Sequence, residues 1–475
     1  MNYHAVLTEI LISILGIFLL VLGLILPRNK KKVIGYLSTL GLTGILIFSF
    51  FSGNNASESF MDGLYVSDIL SISFKQIFLI AAILVSMMSL SYVKNLTDSK
   101  SEFFTISVFA LLGAMIMSSS SDFITLYIGV ELMSISFIIL TAFEKKSIKS
   151  TEAGIKYILL SGVSSAVLLY GMSLLYGLSG SVSFFDISVY LKSNYNEPMV
   201  ILSGILLIAG FGFKISAVPF HMWSPDIYEG APTPITAFLA SVSKAAGFAV
   251  LVRLFMQPLS SVFNNFVVLI IALAVLSIVI GNIIALPQTN IKRMLAFSSI
   301  SQAGYILLGL IVFTKIGLGA MLYYLLLYVF ANAGAFSAVL AFSNQTGSDE
   351  IKDFKGMWKR SPYLTAVLML SLLSMAGIPP AAGFIGKFYL FSEAVKQGYL
   401  WIAFVAIGMS VVSIYYYIGV IRVMLVGEAS DASKIQIPVS LKLVMGISTI
   451  MTLVMGIYPG PITDWAQNVA KIFFK

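Results

Sequence analysis

Four ionisable side chains sit where a chain this apolar tolerates them only at a cost: Glu131 in LYIGVELMSIS, Lys214 in GFGFKISAVPFHMW, Lys244 in ASVSKAAGF and Lys387 in GFIGKFYLF. Each falls inside a long hydrophobic run. A lysine at the centre of a membrane helix costs roughly 2.5–3.5 kcal/mol on insertion scales, so three together cost on the order of 8–10 kcal/mol. A carboxylate partner, internal hydration or free backbone carbonyls can offset that, and the usual meaning of such residues is an ion or proton path. Burial disfavours the charged form of an amine, whereas a neighbouring carboxylate favours it. A buried lysine near a carboxylate that can approach or withdraw is therefore a proton switch. Ammonium groups repel metal cations, so protons suit this set better than sodium. Glu131, Lys214, Lys244 and Lys387 form the candidate proton relay.

Prolines stand beside two of these lysines. Each deletes a backbone hydrogen bond and clashes with the carbonyl four residues earlier. Pro219 would free the carbonyl of Ile215, next to Lys214. Pro379 and Pro380 would free those of Met375 and Ala376, with Gly377, Gly383 and Gly386 loosening the surroundings. Both are expected helix breaks, and non-helical backbone at membrane depth is tolerated only where it is buried in protein or faces water. Two further residues are secondary relay candidates. Lys156 lies four after Glu152, so an i,i+4 pair or snorkelling competes with a relay role. His221 reads either as a polar residue at the end of the broken helix or as a proton-uptake group. Glu9 and Glu393, near the ends of their runs, read as interfacial, and Arg422 as snorkelling.

The elements that must position these groups follow from composition. Of 475 residues, 58% are hydrophobic and 11% charged, with a mean hydropathy of +0.96, which marks an integral membrane protein rather than a soluble one. Fourteen apolar runs can be placed, near 5–26, 33–51, 75–93, 102–118, 122–143, 151–177, 198–220, 232–255, 266–286, 294–312, 316–343, 363–395, 399–425 and 439–459, each long enough to span as a helix. The first is too long for a signal-peptide core and lacks a cleavage site, so it reads as a retained span. The absence of cysteine excludes thiolate-bound iron–sulfur clusters and disulfides within the chain, and only His4 and His221 are present, too few for paired haem ligation or a His-rich metal site. No Gly-rich phosphate loop or basic stripe suits a nucleotide or nucleic acid. No cofactor or metal is expected in this chain.

The two breaks lie five spans apart. Repeats with an odd number of crossings place the second copy upside down, which is the inverted-repeat architecture of secondary transporters. The expectation is an all-α polytopic membrane protein of about fourteen transmembrane helices with two inverted five-helix repeats, each containing a proline-broken helix. Its divisions are an N-terminal three-helix segment at 1–101, a first repeat at 102–255, a second at 266–425, and a C-terminal helix and tail at 426–475. Basic residues cluster at Arg28, Lys30, Lys31 and Lys32, at Lys145, Lys146 and Lys149, and at Lys352, Lys355, Lys359 and Arg360. The positive-inside rule then places these loops in the cytoplasm and both termini outside, in a cell (plasma or inner) membrane.

At this point the residues resemble a known group: the antiporter-like membrane subunits of respiratory complex I, with relatives in cation/proton antiporters and membrane-bound hydrogenases. Four blocks carry the resemblance: LYIGVELMSIS (126–136), KYILLSGVSSAVLLYGMSLLYGLSGS (156–181), FKISAVPFHMWSPDIYEGAPTPITAFLASVSKAAGF (213–248) and GIPPAAGFIGKFYLF (377–391). Within the group the chain is most similar to the N-type bacterial subunits and mitochondrial subunit 2, because Val130 precedes the glutamate where sister subunits tend to have tryptophan, and a lysine stands at 387. The resemblance implies that Glu131 pairs with Lys214, Lys244 passes the proton on and Lys387 releases it, driven by quinone reduction elsewhere in a complex. It places the flavin, iron–sulfur clusters and quinone in partner subunits, membrane and peripheral, with the lipid bilayer as the other partner and no nucleic acid. Where many relatives read SSIAHxGY, this chain has SSISQAGY, so Gln302 removes a titratable histidine from the implied path. A cation/proton antiporter or hydrogenase subunit of the same fold is the alternative, and a passive anchoring subunit the third; the lysine series argues against the last.

Overall fold

In hydrocarbon each backbone N–H and C=O must be satisfied within the protein, and a helix does this inside one segment. The computed structural model describes residues 3–27, 30–52, 58–95, 99–428 and 433–474, and it is nearly all helix; Arg28 of the first basic cluster lies outside the described residues. The N-terminal segment contains α1 (Leu7–Ile25), α2 (Lys32–Ser52) and α3 (Ile69–Tyr92), with a small hairpin of β1 (Glu58–Phe60) and β2 (Tyr65–Ser67) before α3. Next come α4 (Lys100–Ser119), α5 (Phe123–Thr141), α6 (Ile148–Ser179), α7 (Phe184–Ser193), α8 (Pro198–Lys214), α9 (Trp223–Gly230), α10 (Thr233–Phe238) and α11 (Lys244–Met256), the last two joined by a π-helical turn at Leu239–Ser243. The chain continues as α12 (Phe263–Ala285), α13 (Ile291–Ile311), α14 (Lys315–Thr346), α15 (Met357–Arg360), α16 (Pro362–Ala376), α17 (Ala382–Lys396), α18 (Leu400–Leu425), α19 (Val439–Ile457) and α20 (Gly460–Ala470).

Twelve helices among the described residues are long and apolar enough to cross a membrane. The broken pairs α8/α9 and α16/α17 add two crossings, so the sequence-based count of fourteen holds. Both interruptions fall where proline forbids the helix: residues 215–222 separate α8 from α9, and 377–381 separate α16 from α17. At the second, Gly377 takes φ +85°, which its lack of a Cβ permits. Two boundaries differ from the sequence reading. Asp68 accepts the backbone N–H of Ser71 at 2.8 Å and caps α3, so this helix starts at Ile69, six residues early, and encloses Lys75. The stretch 178–197, read as loop, contains the surface helix α7, with Phe185 and Val189 exposed.

The repeats are visible in how helices approach one another. In α4/α5, a Cβ on Gly113 would lie 2.5 Å from the Met133 nitrogen and one on Gly129 2.9 Å from the Met117 nitrogen. At the corresponding pair α12/α13, a Cβ on Gly281 would lie 2.7 Å from the Ser301 nitrogen and one on Gly304 2.7 Å from the Ala274 oxygen. Each repeat therefore opens with two helices packed backbone to backbone through reciprocal glycines, a close approach that small residues allow in membranes. The span Thr233–Met256 and helices α13 and α14 are enclosed by protein along their whole apolar length. Lys244 and Gln302 are on these enclosed elements.

Candidate functional site

Lys214 is the last residue of α8, 2% exposed, and its Nζ donates to Ser134 Oγ of α5 at 2.6 Å and to Ser161 Oγ of α6 at 3.4 Å. Glu131, partly exposed on α5, accepts a short hydrogen bond from Ser165 of α6. Ser161 and Ser165 are four apart, as neighbours on one helix face, and Glu131 and Ser134 are three apart on the facing helix. Glu131 and Lys214, the pair that the resemblance implies, are not in direct contact: the carboxylate accepts from Ser165 and the ammonium donates to Ser134 and Ser161, while the Glu131 charge acts on Lys214 through space. Lys244 lies on the neighbouring element: a Cβ on Gly247 would meet Ile215 Cγ2 at 2.7 Å and Lys214 Cβ at 3.5 Å.

Lys244 follows directly on the π-helical turn and is 1% exposed. Its Nζ donates to Ser299 O at 2.7 Å and Ser299 Oγ at 2.9 Å, on α13. Lys387, on α17, donates to Ala376 O at 3.0 Å and Ser410 Oγ at 2.8 Å, and sits 4.7 Å from the centre of the Tyr305 ring. The carbonyl expected to be freed at Ala376 is therefore taken by Lys387, and the one at Met375 accepts from Gln302 Nε2 at 3.0 Å. At the first break the Phe213 carbonyl accepts from Trp223 Nε1 at 2.8 Å, and the Val218 N–H donates to Ser277 Oγ at 2.9 Å. Among the described residues none of the three lysines is in an ion pair. Hydroxyls and carbonyls hold them instead.

The secondary candidates lie elsewhere. Lys156 forms ion pairs with Glu152 and with Asp226 of α9, both at 2.7 Å, so its i,i+4 reading holds and gains a tertiary partner. Arg293 of α13 bonds Asp226 at 2.6 Å and Glu229 at 3.2 Å, and Lys149 reaches Glu229 at 2.9 Å. This network ties the short helix beyond the first break to both repeats. His221 is buried in the break itself, seven residues from Lys214 in the chain.

A second set of buried charges was not singled out from the sequence. Arg253, at the far end of α11, forms a two-point pair with Asp68, Nη1 to Oδ2 at 3.1 Å and Nη2 to Oδ1 at 2.9 Å, and its Nε donates to Ser118 O at 3.0 Å. Lys75 pairs with Glu9 at 2.8 Å and lies 5.3 Å from the centre of the Tyr65 ring. The interfacial reading of Glu9 and Glu393 is corrected: both are buried, Glu9 paired with Lys75 of α3 and Glu393 accepting from Thr314, which caps α14, at 2.9 Å. The signal is the same, charge within an apolar run, but Lys75 opens a run drawn six residues too short and Arg253 lies two residues from the end of its own, where a charge reads as interfacial.

Residues 120–413 match the family described as NADH:quinone oxidoreductase/Mrp antiporter, TM. The chain is 48% identical to NADH-quinone oxidoreductase subunit N of Moorella thermoacetica, covering 100% of this chain and 99% of that one. It is 39% identical to NAD(P)H-quinone oxidoreductase subunit 2 of a Nostoc species, over 98% and 93%. A chain in the structure of respiratory complex I from Thermus thermophilus with bound aureothin superposes with a TM-score of 0.81 at 29% identity, covering 96% of this chain and 98% of that one. With the broken helices and the lysine series in place and a family match spanning more than half of its length, the chain belongs to the transmembrane subunit family of NADH:quinone oxidoreductases and Mrp antiporters.

Proposed function

We propose that this chain is a proton-translocating membrane subunit of an NADH:quinone oxidoreductase, a translocase that carries out no redox step itself. The observation that carries the reading is that Lys214, Lys244 and Lys387 are all buried, two of them at proline breaks, and all are held by hydroxyls and carbonyls rather than by carboxylates. A structural lysine is offset by a fixed opposite charge, whereas a relay lysine needs surroundings that accept either protonation state. When Glu131 draws toward Lys214, the ammonium form is favoured. When it withdraws, desolvation favours release toward Lys244 and then Lys387. Quinone reduction in partner subunits supplies the energy, and the flavin, iron–sulfur clusters and quinone belong to those partners. The relatives named for this enzyme are 48% and 39% identical over nearly their whole length, and that identity favours it over the antiporter alternative.

In this reading residues 1–101 form a supporting segment, 102–255 and 266–425 the two half-units and 426–475 the closing helix and tail, with both termini outside the cytoplasm. The test is substitution by arginine, which keeps the charge and cannot release a proton at working pH. Lys214→Arg, Lys244→Arg and Lys387→Arg should each lower protons pumped per electron, measured in vesicles containing the assembled complex, almost as far as the matching Ala changes. Lys156→Arg should be milder, because its ion pairs with Glu152 and Asp226 survive. Wild-type ratios in all three Arg variants would show that fixed charge suffices and would overturn the relay.

A further inference from the structure

Among the described residues no other lysine, and no histidine or carboxylate, bonds to Lys244, Lys387 or their hydroxyl partners, and hydroxyls are found between the two instead. Ser410, Ser413 and Tyr417 lie at i, i+3 and i+7 on α18, along one helix face. Ser410 Oγ accepts from Lys387 at 2.8 Å, Ser413 Oγ donates to the Ser410 carbonyl at 2.6 Å, and Tyr417 shares a short hydrogen bond with Ser298. Ser298 is the residue beside Ser299, which receives Lys244. One face of α18 thus runs from the neighbourhood of one lysine to the other.

Gln302 fixes the middle of this face. Its Nε2 donates to Met375 O at 3.0 Å and to Tyr417 Oη at 3.4 Å, and its Oε1 accepts from Tyr324 Oη at 2.6 Å. Both amide hydrogens and the oxygen are engaged, on α16, α18 and α14, and turning the amide over would set its oxygen against the Met375 carbonyl. Met375 O and Ala376 O are the adjacent carbonyls exposed by the second break, so Gln302 and Lys387 grip the same broken turn.

We propose that Gln302 is a positioning residue that locks the second helix break to Tyr417, and that protons cross from Lys244 to Lys387 over the hydroxyl face of α18 while the side chain at 302 carries none. In each passage a hydroxyl oxygen accepts one proton from the Lys244 side and gives up its own toward Lys387, so no charge remains on serine or tyrosine. An amide could carry the proton only through its imidic acid form, so Gln302 holds the path without being a step of it. The inference rests on the relay reading of Lys244 and Lys387.

The test measures protons pumped per electron in vesicles containing the assembled complex, with Lys387→Ala as reference. Tyr417→Phe and Gln302→Met should lower the ratio as far as Lys387→Ala does. Gln302→His keeps a donor for Met375 and an acceptor for Tyr324, so it should recover most of the ratio. It should also bring a new pH dependence near the imidazole range, about pH 6.5, which wild type lacks; a purely structural role for residue 302 would not produce it. A wild-type ratio in Tyr417→Phe, or a Gln302→His variant no better than Gln302→Met, overturns the proposal. If Lys387→Ala lowers the ratio and Tyr417→Phe does not, this inference fails alone. If Lys387→Ala has no effect, the relay reading fails with it. Should Gln302→Met not assemble, Tyr417→Phe, which removes a single oxygen, decides.

Discussion

Replacing Asp68 by Asn keeps the size of the side chain and its cap on α3 but leaves Arg253 charged and buried with no opposite charge. In the native pair the carboxylate accepts two Arg253 hydrogen bonds and the Ser71 N–H, and the side chains are 3% and 1% exposed. An asparagine oxygen in the place of Oδ1 still accepts from Ser71 and from Arg253 Nη2, as that one atom does in the native pair, but the NH2 in the place of Oδ2 then faces the Nη1 donor. Breaking a buried pair from one side costs roughly 3–5 kcal/mol, or two to three and a half powers of ten at about 1.4 kcal/mol per decade. Asp68→Asn/Arg253→Met leaves no uncompensated charge, and apolar replacement of a buried pair is often near neutral, so the double variant should regain most of the loss. The consequence reaches the relay because Arg253 lies on the helix of Lys244, roughly 13 Å further along it at 1.5 Å per residue. The assay is a double-mutant cycle on the thermal inactivation of the purified complex. Burial alone would raise the Asp68 carboxyl, but the Arg253 charge, its hydrogen bonds and Ser71 outweigh it and hold it below the usual range. A depressed pKa gives stability that is complete above the unfolded value of about 3.9 and lost as pH falls through the lower folded value. The difference between wild type and Asp68→Asn should therefore stay flat from roughly pH 8 to 5. A single variant within about 1 kcal/mol of wild type, as an exposed pair would give, or a double no better than the worse single, would refute the reasoning.

Glu131→Gln retains a hydrogen-bonding partner for Ser165 but removes the charge that acts on Lys214, so pumping should fall several-fold while the complex still assembles; wild-type pumping would rule out carboxylate control of that lysine. For orientation, single cysteines can be introduced into a chain that has none. An impermeant thiol reagent added outside should label Ser193→Cys, exposed at the end of α7, and spare Lys352→Cys, exposed beyond α14, whereas the reverse pattern would invert the assignment.

The sequence by itself determined what backbone chemistry and insertion energy dictate. Long apolar runs must be helices in lipid. A proline within one must interrupt it, and the carbonyls it frees are countable, so Met375 and Ala376 are identifiable from the sequence alone. A lysine in mid-run is costly wherever the fold places it, so Lys214, Lys244 and Lys387 were legible as functional candidates. What holds those lysines was decided only by tertiary structure. Ser134, Ser161, Ser299, Ser410 and Gln302 are inexpensive in an apolar run and carry no signal of their own; they matter because other helices bring them within 2.6–3.4 Å of an ammonium or a freed carbonyl. The burial of Glu9, Lys75 and Glu393 was equally hidden, since whether a charge at a span end meets water or protein depends on which helix covers it. Arg253 and Asp68 are 185 residues apart in the chain, and no local pattern joins them: a buried guanidinium is stable where a carboxylate meets it, and only the packing of α11 against the start of α3 puts one there.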